Sequence, residues 1–277
     1  MSVPSSQPAR SSAIQPPSHL AGAGPLDEEG FAFRDPGSQV RLWTVVVAGL
    51  ALDLWSKEWA FTTLRQGGGR VLIPRILEFH TTLNPGALFG IGAGRTGLFL
   101  LASLLALILV LWMFAHCPAR RRLTHIALGA ILAGALGNMY DRAFVRLTPW
   151  VFPTPAGRAV AYGVRDLSPD GEWVVLREYP PDDRSRVVKL PVSAAGDLPP
   201  EAGYVRDFIK IRTTLPNWSW LPERLRGREA WPWVFNVADM LLVGGVGVLA
   251  IRMLRDHRAG PSGRGGSDQR PEYAAPA

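Results

Sequence analysis

The sequence predicts a mainly α membrane protein of four transmembrane helices, with a β-rich segment added on the outer face. Three observations predict it. Four apolar segments run roughly Leu42–Leu64, Thr96–Ala115, Leu123–Val145 and Trp233–Leu254, and each is close to the ~20 helical residues that cross a bilayer. Basic residues flank these segments on alternate connections: Arg34 and Arg41 precede the first, CPARRRLTH joins the second to the third, and RMLRDHR follows the fourth. With an even number of spans all three basic sites fall on one side of the membrane, which is the cytoplasmic side by the usual bias. Finally, the stretch between the third and fourth segments contains AVAYGV, EWVVLREY and RVVKLPV, which read as strands, with Asp170-Gly171 as a hairpin turn.

Taken in order, residues 1–40 are rich in Ser, Pro, Gly and Ala and hold no long apolar run. They cannot bury enough surface to offset the entropy of ordering and are expected to form a disordered cytoplasmic tail. Residues 256–277 read the same way. Residues 41–145 carry the first three helices with an outer loop at 65–95, and 146–202 form the outer β-rich segment. Residues 203–255 carry a further outer stretch and the fourth helix. The first span is expected to act as an uncleaved insertion signal. The formal charge of +7 is assigned to the anchors and tails, and no nucleic-acid-binding motif accompanies it. One cysteine, Cys117, excludes an internal disulfide and a multi-cysteine metal site. No two histidines have metal-ligand spacing, so neither a metal nor a cofactor is expected.

The polar residues inside the apolar segments carry the chemistry. An ionised carboxylate in hydrocarbon costs about 2.5–3.5 kcal/mol on insertion scales. In DLWSK, Asp53 and Lys57 are four apart and share a helix face. They read equally as an ion pair tolerated by the membrane and as members of a site. In GALGNMYDRAF, Asn138, Asp141 and Arg142 share a face, with Asp141 and Arg142 read as a charge-balanced structural node. Gly134 and Gly137 let a neighbouring helix approach there. Asn236 and Asp239 open the fourth segment. The helix dipole favours an anion in that first turn by about 0.3–1 kcal/mol, too little to explain the carboxylate by itself. In the first outer loop, VLIPRILEFHTT is strand-like and Asn84-Pro85-Gly86 forms a turn, followed by the slim Ala87, Gly90 and Gly92. In GYVRDFIKIR, Asp207 sits oddly inside an apolar strand.

These blocks in this order resemble the lipoprotein signal peptidases (signal peptidase II), the four-span aspartyl peptidases of bacterial inner membranes. The matching blocks are DLWSK (53–57), NPGALFG (84–90), GALGNMYDR (134–142), GYVRDF (203–208) and FNVAD (235–239). The resemblance implies that Asp207 and Asp239 are the catalytic dyad. It implies substrate-pocket or supporting roles for Asp53, Lys57, Asn84 and Gly86, and for Asn138, Asp141, Arg142, Asn236 and Ala238. The implied substrate is a diacylglyceryl-modified prolipoprotein, cut just before the lipidated cysteine, with membrane lipid as the other partner. An outer β-cradle from loop 65–95 is implied too. The expected location is the bacterial inner (cytoplasmic) membrane, with both termini cytoplasmic and the site near the outer face. One complete site per chain makes a monomer the simplest case.

Two departures from the family pattern stand out. Leu88 replaces a second small alanine beside Asn84. Between Arg142 and Gly203 lie residues 143–202, where the family has a short connection. This insertion has no catalytic set of its own and interrupts no motif, so it is expected to be dispensable for cleavage. The stretch from Asp207 to Asp239 is also long, and carries Trp218, Trp220, Trp231 and Trp233, which favour the headgroup boundary.

Two facing carboxylates cannot both ionise cheaply, so the pair is expected to share one proton. One member then activates water while the other donates to the scissile carbonyl, without a covalent intermediate. Which aspartate takes which role does not follow from the sequence, because the proton belongs to the pair. Three other readings fit less well. A presenilin-like protease needs a GxGD block that is absent, and a cation transporter needs inverted repeats that are absent. An inactive relative would not keep every motif aspartate.

Overall fold

The computed structural model describes residues 30–86, 96–155 and 157–258. Among the described residues there are four α-helices: α1 (Pro36–Leu64), α2 (Thr96–Ala115), α3 (Arg122–Phe144) and α4 (Val237–Arg258). α3 is the central one, in contact with each of the other three. Its glycines make this possible. A side chain on Gly134 would collide with the Ala238 carbonyl, and one on Gly137 with the Asp53 carboxylate. The close approach expected of these two glycines is therefore with α4 and α1.

Aliphatic side chains cover the outside of the bundle. Leu101, Leu104, Leu105, Ile108 and Leu109 on α2 and Val243, Val246 and Ile251 on α4 are all exposed. A bundle dissolved in water would hide such a surface. Among the described residues, α3 and α4 are long and apolar enough to cross a membrane. α1 is interrupted by charge at Arg41, Asp53, Lys57 and Glu58, and the described apolar part of α2, Leu100–Ala115, is shorter.

Two boundaries differ from expectation. The 1–40 tail is too long: α1 begins at Pro36 because Asp35 caps it, its Oδ2 accepting from the Ser38 backbone N–H at 2.7 Å. Just before the cap, the Ala32 N–H donates to the Cys117 carbonyl at 2.7 Å and ties this segment to the α2–α3 turn. Residues 1–29 lie outside the described residues. At the other end α4 continues to Arg258, and 259–277 lie outside them.

The expectation of a mainly α protein is corrected to a mixed α and β one, because helix makes up only 47% of the described residues. Strands β1 (Gly69–Ile73), β2 (Leu77–Asn84), β8 (Val205–Ile211) and β9 (Val234–Phe235) form an antiparallel sheet in the order β1-β2-β8-β9. Strands β3 (Arg146–Thr154), β4 (Gly157–Leu167), β5 (Trp173–Glu178), β6 (Val187–Pro191) and β7 (Ala202–Gly203) form a second, in the order β6-β5-β4-β3-β7. Three of these contain the strand-like runs read from the sequence, and Gly171 (φ +73°) supplies the left-handed residue of the β4–β5 turn. Strand β3 was missed. Its Pro149 and Pro153 argue against a strand, yet they are tolerated because β7 pairs only with Arg146 and Leu147, leaving the rest of that edge open.

Where the second sheet meets the helices, Ala60, Phe61, Leu83, Leu147, Tyr204 and Phe208 form a buried cluster. Gly203 lies directly on the end of α3, where a side chain would strike the Arg142 carbonyl. The next residue, Tyr204, donates its N–H to the Val145 carbonyl at 2.9 Å. These contacts set β8 against α3 and so bring the polar residues of both together.

Candidate active site

α1 contributes Asp53 and Lys57, α3 contributes Asn138, Asp141 and Arg142, and β2 contributes Asn84. β8 supplies Arg206 and Asp207, and the start of α4 supplies Asn236, Ala238 and Asp239. All lie in one connected polar cluster between the helices and the first sheet, in two halves.

The first half is charge-paired. Lys57, fully buried, places Nζ 2.8 Å from Asp53 Oδ2 and 3.2 Å from Asp141 Oδ2, and donates to Asn138 Oδ1 at 3.2 Å. The other oxygen of Asp53 accepts the Ala238 N–H at 2.8 Å, which fixes α4 at its first turn. Asp141 also accepts from Arg206: the Nη2 and Nε donate to Oδ1 at 2.8 and 3.0 Å, and the Arg206 backbone N–H donates to Oδ2 at 3.0 Å. Arg206 Nη1 reaches Glu58 at 2.8 Å. Burial works against the Arg206 charge, but the Asp141 carboxylate outweighs it and raises the guanidinium pKa above its ordinary value. A fork of this kind suits arginine and would not suit lysine.

Arg206 is the residue the sequence reading missed, having placed Arg142 beside Asp141. Asp141 is held by Lys57 and Arg206, while Arg142 donates to the carbonyls of Asn138 (3.3 Å) and Gly86 (3.5 Å). A signal was available in GYVRDF. Side chains alternate along a strand, so an arginine beside a buried aspartate must look toward the other face for its anion.

In the second half the aspartates are held by neutral amides, and the Arg142 guanidinium is the cation whose charge acts on both of them. Asp207, 3% exposed, accepts from the side-chain amides of Asn84 at 3.1 Å and Asn236 at 2.6 Å. Asp239 accepts from the Asn138 amide at 2.8 Å. The Asn236 amide also donates to Asn138 Oδ1 at 3.2 Å, so two asparagines bridge the two carboxylates. Burial first, and the neighbouring Asp239 charge second, push the Asp207 carboxyl up to about 8, against the pull of the two amides.

Local chain geometry explains the spacing in FNVAD. The Asp239 N–H donates to Asn236 Oδ1 at 3.0 Å, and the Asn236 N–H donates back to Asp239 Oδ2 at 3.2 Å. This is a reciprocal capping box at the start of α4, with Asn and Asp in the two roles. Asn84 is aimed by another local device: its Oδ1 accepts the Gly86 N–H at 3.0 Å. Ala87, Leu88, Gly90 and Gly92 lie outside the described residues. Every candidate residue from the sequence is thus in the cluster.

The family profile described as signal peptidase II matches residues 45–255. A lipoprotein signal peptidase from Desulfitobacterium hafniense is 32% identical over 210 residues, covering 74% of this chain and 90% of its own. One from Rhodopirellula baltica is 35% identical over 137 residues, covering 48% of this chain and 60% of its own. A solved bacterial membrane enzyme, 19% identical, covers 84% of this chain and 94% of its own with a TM-score of 0.49, too loose a likeness to carry weight. By the extent of the profile match and of the Desulfitobacterium alignment, the chain belongs to the signal peptidase II family, membrane-bound aspartic peptidases that remove signal peptides from prolipoproteins.

Proposed function

We propose that Asp207 and Asp239 are the catalytic dyad of this peptidase, and that it cuts diacylglyceryl-modified prolipoproteins just before the lipidated cysteine. The observation that carries this reading is the coupled pair: two carboxylates joined through Asn236 and Asn138, with Asp207 raised to about 8. At neutral pH such a pair holds one proton between its two members. The ionised member takes a proton from a water lying between the carboxylates as that water attacks the scissile carbonyl. The protonated member donates to the carbonyl oxygen, and the leaving amine then receives a proton. Asn84, Gly86, Asn138, Arg142 and Asn236 line this pair and are assigned to peptide binding and orientation. Asp53, Lys57, Asp141 and Ala238 support them from behind.

All four helices span the membrane in this reading. Support comes from the clustering of basic residues at one end of the bundle. Arg121 pairs with Asp256 at 2.7 Å, Arg252 reaches Thr124 at 3.2 Å, and Arg41 reaches the Ala119 carbonyl at 3.4 Å. That end faces the cytoplasm, and the dyad lies toward the outer face of the inner membrane. The sheet β1-β2-β8-β9 acts as the outer β-cradle. Trp218 and Trp220, exposed and stacked at 5.3 Å, and Trp231 and Trp233, in edge contact at 5.0 Å, are assigned to the headgroup layer. The chain works as a monomer, with the substrate's acyl tails in lipid against the helices.

The test is cleavage by the purified protein in detergent of the same precursor with and without its diacylglyceryl group. Efficient cleavage of the lipidated form alone supports this assignment, and equal cleavage of both forms defeats it.

A further inference from the structure

Residues 146–202 have no catalytic set, yet they are fastened to the site rather than merely attached to it. The buried Arg206 side chain has three kinds of acceptor. Asp141 on α3 takes Nε and Nη2, while Nη1 is shared between Glu58 on α1 and the Tyr179 hydroxyl at 3.2 Å. Tyr179 follows β5 in the insertion. Glu58 is 61% exposed, so Tyr179 is the acceptor on the buried side. The tyrosine ring is fixed against Phe61 of α1 at 5.9 Å. Gln66 tethers the insertion again by a reciprocal pair: its amide donates to the Tyr162 carbonyl and accepts the Tyr162 N–H, each at 3.0 Å. Arg65 and Asp182 form an ion pair beside it.

We infer that the β insertion is a positioning device for the catalytic strand, acting through Tyr179 on Arg206 and so on its neighbour Asp207. The inference rests on Asp207 being a dyad member. Adjacent residues of a strand point to opposite faces, so clamping Arg206 on one face sets the direction of the Asp207 carboxylate on the other. The insertion is therefore not dispensable, contrary to what its lack of motifs implied.

The test uses the full-length protein in detergent with Tyr179→Phe, which keeps the ring and deletes the acceptor. Deuterium exchange across 203–211 is expected to quicken while exchange in α3 stays unchanged. With lipidated precursor, kcat is expected to fall roughly three- to thirtyfold, as a slight misplacement of a reacting group would produce, with KM within about twofold. In an Arg206→Lys background, Tyr179→Phe is expected to cost nothing further. Should Arg206→Lys not fold, Glu58→Gln is the second background: Arg206 has then lost the charge of its other Nη1 acceptor, and Tyr179→Phe is expected to cost more than in wild type. Wild-type exchange in β8, or an equal loss of kcat in both backgrounds, overturns the inference. Exchange is read without cleavage, so the clamp can fail while the dyad stands. Full activity in Asp207→Asn would instead remove the dyad reading whatever the exchange shows.

Discussion

Asp141 and Asp207 are both buried carboxylates, set against opposite faces of the same short strand, and they meet opposite surroundings. Asp141 has Lys57 at 3.2 Å and the Arg206 fork at 2.8 Å. Asp207 has two neutral amides and, beyond them, another aspartate. Both are buried, but one sits in a direct network of cations and the other is held by neutral amides beside a second carboxylate. A neutralised carboxylate holds helices together and exchanges no proton. One left beside a like charge stores a proton that it can release, which is what acid–base catalysis needs.

The contrast can be broken by substitution. The largest expected effect is on the unpaired side: Asp207→Asn and Asp239→Asn each lower cleavage of lipidated precursor by roughly a thousandfold or more, while the folded protein stays in the membrane fraction. Retained activity in either would show that its carboxylate carries no chemistry. On the paired side the loss is of stability. Lys57→Met leaves Asp53 and Asp141 without a shared cation and is expected to cost about 3–5 kcal/mol in unfolding experiments; an unchanged midpoint would mean that the pairing is idle.

The cap between the halves comes next. Asn236→Ala removes both the α4 cap, worth about 1 kcal/mol, and the amide bridge, so kcat is expected to fall further than the stability change alone explains. Titration gives the smallest and sharpest test. Asp207 is raised above the ordinary carboxylate range, so it keeps its proton through neutral pH and loses it as the pH climbs through about 8. Cleavage is therefore expected to decline on that alkaline limb. In Arg206→Lys, where the neighbouring face is altered but the amides remain, the limb is expected to stay in place.

Helix spacings made residues of both halves legible, and what stayed obscure was the contacts made across the chain. Asn236 and Asp239, three apart, and Asn138 and Asp141, three apart, are helix-start and helix-face spacings, so local geometry announced them. Asp53 and Lys57 were legible by the same rule. For Arg206 the strand alternation in GYVRDF gave a direction but no partner, because its partners lie on α1, α3 and the insertion, and no local spacing reports a contact across such distances in the chain. The same holds for Tyr179. Strand β3 was hidden by prolines whose missing N–H groups matter only if a neighbour needs them. The start of α1 was readable in Asp35-Pro36, a cap and first-turn pair, but the polar composition around it masked the signal.

The contact of Tyr204 with Val145 has a bearing on how such chains diversify. The polypeptide leaves α3 and, after the whole second sheet, returns beside its own point of departure. That junction is a socket with adjacent prongs: closing it depends little on how much chain hangs outside. Modules of different size can be fitted there as long as they return an acceptor to Arg206, and glycine at 203 is the one shape the socket insists on.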